Sequence, residues 1–122
     1  MADVSIDGDT LVIKLSLLDS LLAFHGSFHI PLTHVTNAYV SSFEDLELQY
    51  RLEGTNWGLI KSAGIFANPQ GLIFVDVGPG DCLVIETRSE RFSRIAVQVP
   101  QGRANALAHA IMQAVPDSGP VD

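Results

Sequence analysis

A chain of 122 residues, 47% hydrophobic and 17% charged, is one domain able to bury its own core, and this composition excludes general disorder. Its 14 acids against 7 bases leave a net charge of −7, a field that repels phosphate backbones and anionic lipid, so neither nucleic-acid nor phosphoinositide binding is expected. One cysteine cannot form an internal disulfide, the N-terminal MADVSIDGDT has no basic n-region, and no apolar run is long enough to span a bilayer; the expectation is a cytoplasmic protein without a transmembrane segment.

In chain order, DVSI and TLVIKL flank Gly8-Asp9, a tight hairpin in which Leu11, Ile13 and Leu15 share a face. SLLDSLLAFHG reads as a short helix, with Ser16 as N-cap, Leu17, Leu18, Leu21 and Leu22 as an apolar stripe, and Gly26 as terminator. SFHIP and VTNAYVSSF are strands on either side of a turn at Pro31–His34. FEDLELQYRLE is ambiguous: Leu46, Leu48, Tyr50 and Leu52 alternate as in a strand, while the density of acids suits a loop or short helix. Beyond the loop Gly54–Gly58, LIKSAGIF, GLIFVDV, CLVIET and FSRIAVQV are four further strands, separated by Asn-Pro-Gln-Gly, Gly-Pro-Gly-Asp and Arg-Ser-Glu-Arg turns.

Ala104, Leu107, Ala108, Ile111, Met112 and Val115 fall on one face of a helix predicted over 101–115, which Pro100 and Gly102 introduce and Pro116 stops. Residues 1–115 thus form a single domain, and the polar, breaker-rich 116–122 is a flexible tail. Counted from Thr10 and leaving the ambiguous stretch aside, the chain has seven strands and then a helix, a mainly β (α+β) class consistent with a small barrel or sandwich plugged at one end.

This element order, with the strings LVIKLSLLDSLLAFHGSFHIPLTHV, GTNWGLIKSAGIF and FVDV, resembles the bacterial pleckstrin-homology-like (PH-like) domain family over roughly residues 4 to 115. The resemblance implies two packed antiparallel sheets in a seven-stranded, partly open barrel capped by the C-terminal helix. It also implies a non-enzymatic scaffold, similar to bacterial modules that self-associate. Lipid-binding relatives in fold use basic residues in the loop after the first strand. Here Ser16–Gly26 has Asp19 and no lysine or arginine, so that role is not carried over.

His25, His29 and His34 lie within ten residues, the spacing at which a metal site is first suspected. In a helix, His25 and His29 would share a face. Phe28 and Ile30, however, alternate as in a strand, where four residues span about 13 Å. Two imidazoles that far apart do not readily share an ion with bonds of about 2 Å. The simpler expectation has His25 ending the short helix, His29 pointing outward and His34 in the turn, with no metal or cofactor.

Cys82 begins a strand and reads as a packed or half-exposed thiol more readily than as a nucleophile, since no histidine is near it in sequence. No Gly-x-Ser-x-Gly or Ser-x-x-Lys occurs, and Glu44, Asp45, Glu47 and Glu53 read as a solvated acidic edge. Arg88, Arg91 and Arg94 surround one turn, with Glu86 and Glu90 interleaved. They are either an anionic contact patch or a charged hairpin tip that guards strand edges. The glycine-flanked Asn56-Trp57 loop holds the only tryptophan, an enriched interface anchor that could equally fold back over a barrel edge.

Asn56, Trp57, Arg88 and Arg91 are therefore the candidate partner contacts. The expected function is a non-enzymatic protein-interaction or scaffold module that self-associates. The alternatives are a carrier of a small apolar ligand, motivated by more Leu, Ile and Phe than one face per strand needs, and a metal-assisted hydrolase built on the histidines and acids.

Overall fold

The computed structural model describes residues 2–15, 27–42, 62–68, 71–77, 80–100 and 102–116. The short helix expected at Ser16–Gly26, the ambiguous stretch Phe43–Glu53 and the Asn56-Trp57 loop lie outside the described residues, as does the tail from Asp117.

β1 (Ala2–Asp7) and β2 (Thr10–Leu15) form the expected hairpin, closed by the pair Asp7↔Thr10. Gly8 takes φ 60° while Asp9 does not turn positive, the signature of a two-residue turn with glycine at its first central position. β3 (Ser27–Pro31) runs antiparallel on the other side of β2, with Ile13 opposite Phe28 and Val12 opposite His29. The alternation read from the sequence holds: Phe28 and Ile30 are buried and His29 is exposed. Proline 31 ends the strand, and Leu32–His34 make a single 3-10 turn whose Leu32 amide donates to the Asp9 carbonyl at 2.8 Å. That bond ties the turn to the β1–β2 loop.

A second, five-stranded sheet is built from β4 (Val35–Ser42), β5 (Ser62–Asn68), β6 (Gly71–Val77), β7 (Asp81–Thr87) and β8 (Phe92–Val97), in the spatial order β4-β7-β8-β6-β5. β8 lies between β6 and β7 and runs parallel to β6. This corrects the expectation of two wholly antiparallel sheets. Turn compositions mark where the chain reverses, but they leave open which strand comes to lie beside which. The described residues hold eight strands, one more than the count from Thr10, because β1 also pairs. No ladder joins the two sheets among them: the backbone link from β1 to the end of β8 is one bond, Ala2 N to Gln98 O at 2.7 Å. Among the described residues the two sheets do not close into a barrel.

The main core lies between the sheets. Leu11, Ile13, Phe28 and Ile30 come from the first sheet, and Phe74, Leu83, Ile85, Phe92, Ile95 and Val97 from the second. Phe28, Phe74 and Phe92 meet edge to face, with centroids 4.8 to 5.9 Å apart, and clasp the two layers together. Such ring pairs stabilise by about 0.5–1.5 kcal/mol beyond the area they bury.

The five-stranded sheet is buried on its other face as well, through Ile73, Val75, Val77, Cys82, Val84 and Ala96. Strands buried on both faces need continuous apolar runs, which GLIFV and CLVI supply.

The C-terminal helix α1 (Ala104–Ala114) packs on β4 and β7. It starts three residues later than predicted because Gly102 sits at φ 81°, outside helical geometry. Its buried stripe is Ala104, Ala108 and Ile111, flanked by half-buried Leu107 and Val115. Met112, expected inside, is 39% exposed. It lies roughly 80° round the helix from Ala104 at about 100° per residue, and the contact with two strands reaches only a narrower stripe.

Candidate functional site

The β7–β8 turn, Arg88–Arg91, meets the 3-10 turn that follows β3. Ser89 takes φ 57°, which reverses the chain tightly, and Thr87 Oγ1 donates to the Phe92 carbonyl at 2.5 Å across the neck. The Arg88 amide donates to the His34 carbonyl at 2.8 Å, and the Arg88 Nε to the Thr33 carbonyl at 3.2 Å. His34 Nδ1 and Glu90 Oε2 stand 2.6 Å apart. Two turns from different sheets are thus held by two backbone carbonyls and one side-chain pair. The side chains of His34 and Glu90 remain 34% and 27% exposed, so solvent keeps their pairing modest.

Beside this clasp lies a groove of about 220 Å³. Phe28 and Ile30 of β3 and Phe92 and Ile95 of β8 contribute its apolar floor, while Ser27, His29, Glu90 and Arg91 form its rim. The Arg91 guanidinium sits 5.0 Å from the Phe92 ring centroid, a cation–π distance that extends the apolar wall with a positive charge. His29 Nε2 stands 3.5 Å from Ser27 Oγ, a weak contact at most. Small-molecule pockets commonly occupy about 300–1,000 Å³, so this groove suits one or two anchoring side chains better than a whole ligand. Buried apolar floor and charged rim are the anatomy of a protein contact.

Of the candidate contact residues, Arg88 and Arg91 come to this one turn and both are exposed. Asn56 and Trp57 lie outside the described residues. The third arginine parts company with them: Arg94 Nε is 3.5 Å from Glu86 Oε2, which also accepts from Tyr39 Oη at 3.0 Å. His29 and His34 sit on a strand and in a turn, as expected, and His25 lies outside the described residues. Among the described residues no group of three or more His, Cys, Asp or Glu gathers as a metal centre.

Cys82 is fully buried. Desolvation, with a smaller contribution from the charge of Asp81, pushes its thiol up to about 12. It is therefore a protonated packing group at neutral pH, since the thiolate is the nucleophilic form.

The groove and the His34–Glu90 pair were not read from the sequence. The pair's members are 56 residues apart, and only the alternation of Phe28 with His29 hinted that this edge has an apolar side and a polar one. No helix among the described residues is long and apolar enough to cross a membrane. Comparison with protein-family models, curated proteins and solved structures finds no match for this chain.

Proposed function

We propose that this protein is a non-enzymatic interaction module of PH-like architecture, a scaffold that self-associates and holds a protein partner at the groove between β3 and the β7–β8 turn. The observation that carries the reading is the groove itself, with four buried apolar side chains as floor and Arg91 and His29 on an exposed rim. Arginine is among the residues that most often dominate binding energy at such contacts. The buried, protonated Cys82 supports a binding role over nucleophilic chemistry. Two packed sheets and a C-terminal helix agree with the PH-like resemblance at the coarse level, and the parallel β6–β8 pair departs from it.

The test places a photo-cross-linking residue at His29 and expresses the chain in its native host. A discrete cross-linked protein that is lost when Arg91→Glu is added supports the reading. No cross-link, or one indifferent to Arg91→Glu, overturns the groove as the contact. Sedimentation velocity on the purified chain checks self-association, and a monomer at every concentration sinks that part.

A further inference from the structure

The groove between β3 and the β7–β8 turn bears a charge opposite to that of the molecule around it. The chain carries −7 and holds only seven lysines and arginines. Two of those seven, Arg88 and Arg91, are exposed together in this one turn.

Arg91 is placed where the charge meets the apolar floor. Its guanidinium carbon lies over the Phe92 ring, 5.0 Å from the centroid, and Phe92 is itself part of that floor. A guanidinium stacked by its face keeps its N–H donors in plane, directed away from the ring. Those donors match the two oxygens of a carboxylate in a paired, charge-assisted contact. On the β3 side of the rim His29 is also exposed, and its ring N–H is a further donor.

The described lining holds one carboxylate, Glu90, which would oppose an acidic ligand. Its Oε2 is engaged by His34 Nδ1 at 2.6 Å, on the far side of the clasp. The rim therefore offers a carboxylate more attraction than repulsion. Beneath it, Phe28, Ile30, Phe92 and Ile95 are buried around about 220 Å³, room for a large side chain but less than a whole small-molecule site needs.

We infer that this groove takes a segment of a partner protein in which an aspartate or glutamate stands beside a large apolar side chain. The apolar group rests on the Phe28 and Phe92 floor, and the carboxylate pairs with Arg91. The acidic remainder of the molecule repels such a segment, so the field steers it to this turn. The inference rests on the groove reading above and adds the partner's chemistry.

Selection of a random peptide library displayed on phage tests it, run on the wild-type chain and separately on Arg91→Glu. Arg91 is exposed, so the substitution leaves the core untouched. Wild type should enrich Asp or Glu next to Leu, Phe or Trp, and Arg91→Glu should enrich Lys or Arg in the acid's place. A synthetic peptide from the wild-type selection should bind Arg91→Glu about tenfold more weakly, and its acid→Lys version should recover most of that loss.

If wild type enriches apolar peptides without an acid, and a photo-cross-linker at His29 captures them, the groove stands and the chemistry named here falls. If no peptide is enriched, or none is captured from His29, the groove reading fails and takes this inference with it. Unlabelled Arg91→Glu chain, which keeps the protein's acids but lacks the groove cation, serves as competitor. Displacement of the peptide by it makes a second copy the occupant and overturns the separate partner.

Should Arg91→Glu not fold, salt decides on the wild-type chain. A dissociation constant for the selected peptide that rises several-fold between about 0.05 M and about 0.5 M salt supports the ion pair, and one indifferent to salt overturns it.

Discussion

A thiol and a hydroxyl on adjacent strands show how the second face of the large sheet treats polar atoms. Cys82 lies opposite Ser41 in the β4–β7 register, and both are buried. Burial raises the Cys82 pKa from 9.0 to about 12, so the folded state prefers the protonated thiol. The sign follows by linkage: this contribution to stability is present in full below about pH 9 and is lost as pH rises towards about 12. A disulfide reagent at pH 8 should therefore modify Cys82 only after denaturant is added. Stoichiometric reaction in the native state, at the rate of a free thiol, would show that the site is open. Ser41 Oγ finds no hydrogen-bond partner among the described residues, and an unmade buried bond costs about 1–3 kcal/mol. Ser41→Ala should be neutral or stabilising, raising the melting temperature by up to a few degrees. A clear drop would mean that the hydroxyl has a partner. The sequence left Cys82 as a packed or half-exposed thiol, and nothing local distinguishes Ser41 from the exposed serines.

Elements were the most legible level, because each is specified by short-range chemistry. Gly8-Asp9 marked the first hairpin, Phe28 and Ile30 marked β3 by alternation, and the apolar runs of β6 and β7 marked strands. The helix was legible by its period, but its start was not, since Gly102 serves either as a first-turn residue or as the left-handed entry it proves to be. Contacts between elements were hidden. The clasp joins residues 56 apart, and no periodicity encodes that. A double-mutant cycle with His34→Ala and Glu90→Ala should give a coupling of about 0.5–1 kcal/mol in urea unfolding, the range of a part-exposed pair. A coupling near zero would leave the two Arg88 bonds as the whole clasp. The layers themselves depend on the ring cluster: Phe74→Ala should cost about 3–5 kcal/mol, whereas Met112→Ala on the exposed flank of α1 should stay within about 0.5 kcal/mol. Comparable losses at both sites would contradict the packing of α1.

At the scale of the whole molecule, composition was informative and topology was not. The class, mainly β with a C-terminal helix, follows from the elements alone. The placement of β8 beside β6 joins strands that do not follow one another in the chain, with Phe74 opposite Ile95 and Val75 opposite Ala96, and no turn sequence predicts such a pairing. Net charge is a whole-molecule property too, and it makes the proposed self-association answerable to salt. Two bodies of charge −7 repel at low ionic strength, when the Debye length is about 30 Å at 0.01 M. At 0.15 M it shrinks to about 8 Å, shorter than a domain radius, and most of that repulsion disappears. An interface made by uncharged groups has no attractive ion pairs for salt to weaken. Its dissociation constant should therefore fall several-fold between those two conditions, read by sedimentation at each. An interface that used Arg88 and Arg91 against acids of the second copy would respond in the opposite sense, because screening would then remove attraction. A dissociation constant that rises with salt would exclude an uncharged contact as the dominant one and move the interface to the arginine-bearing turn.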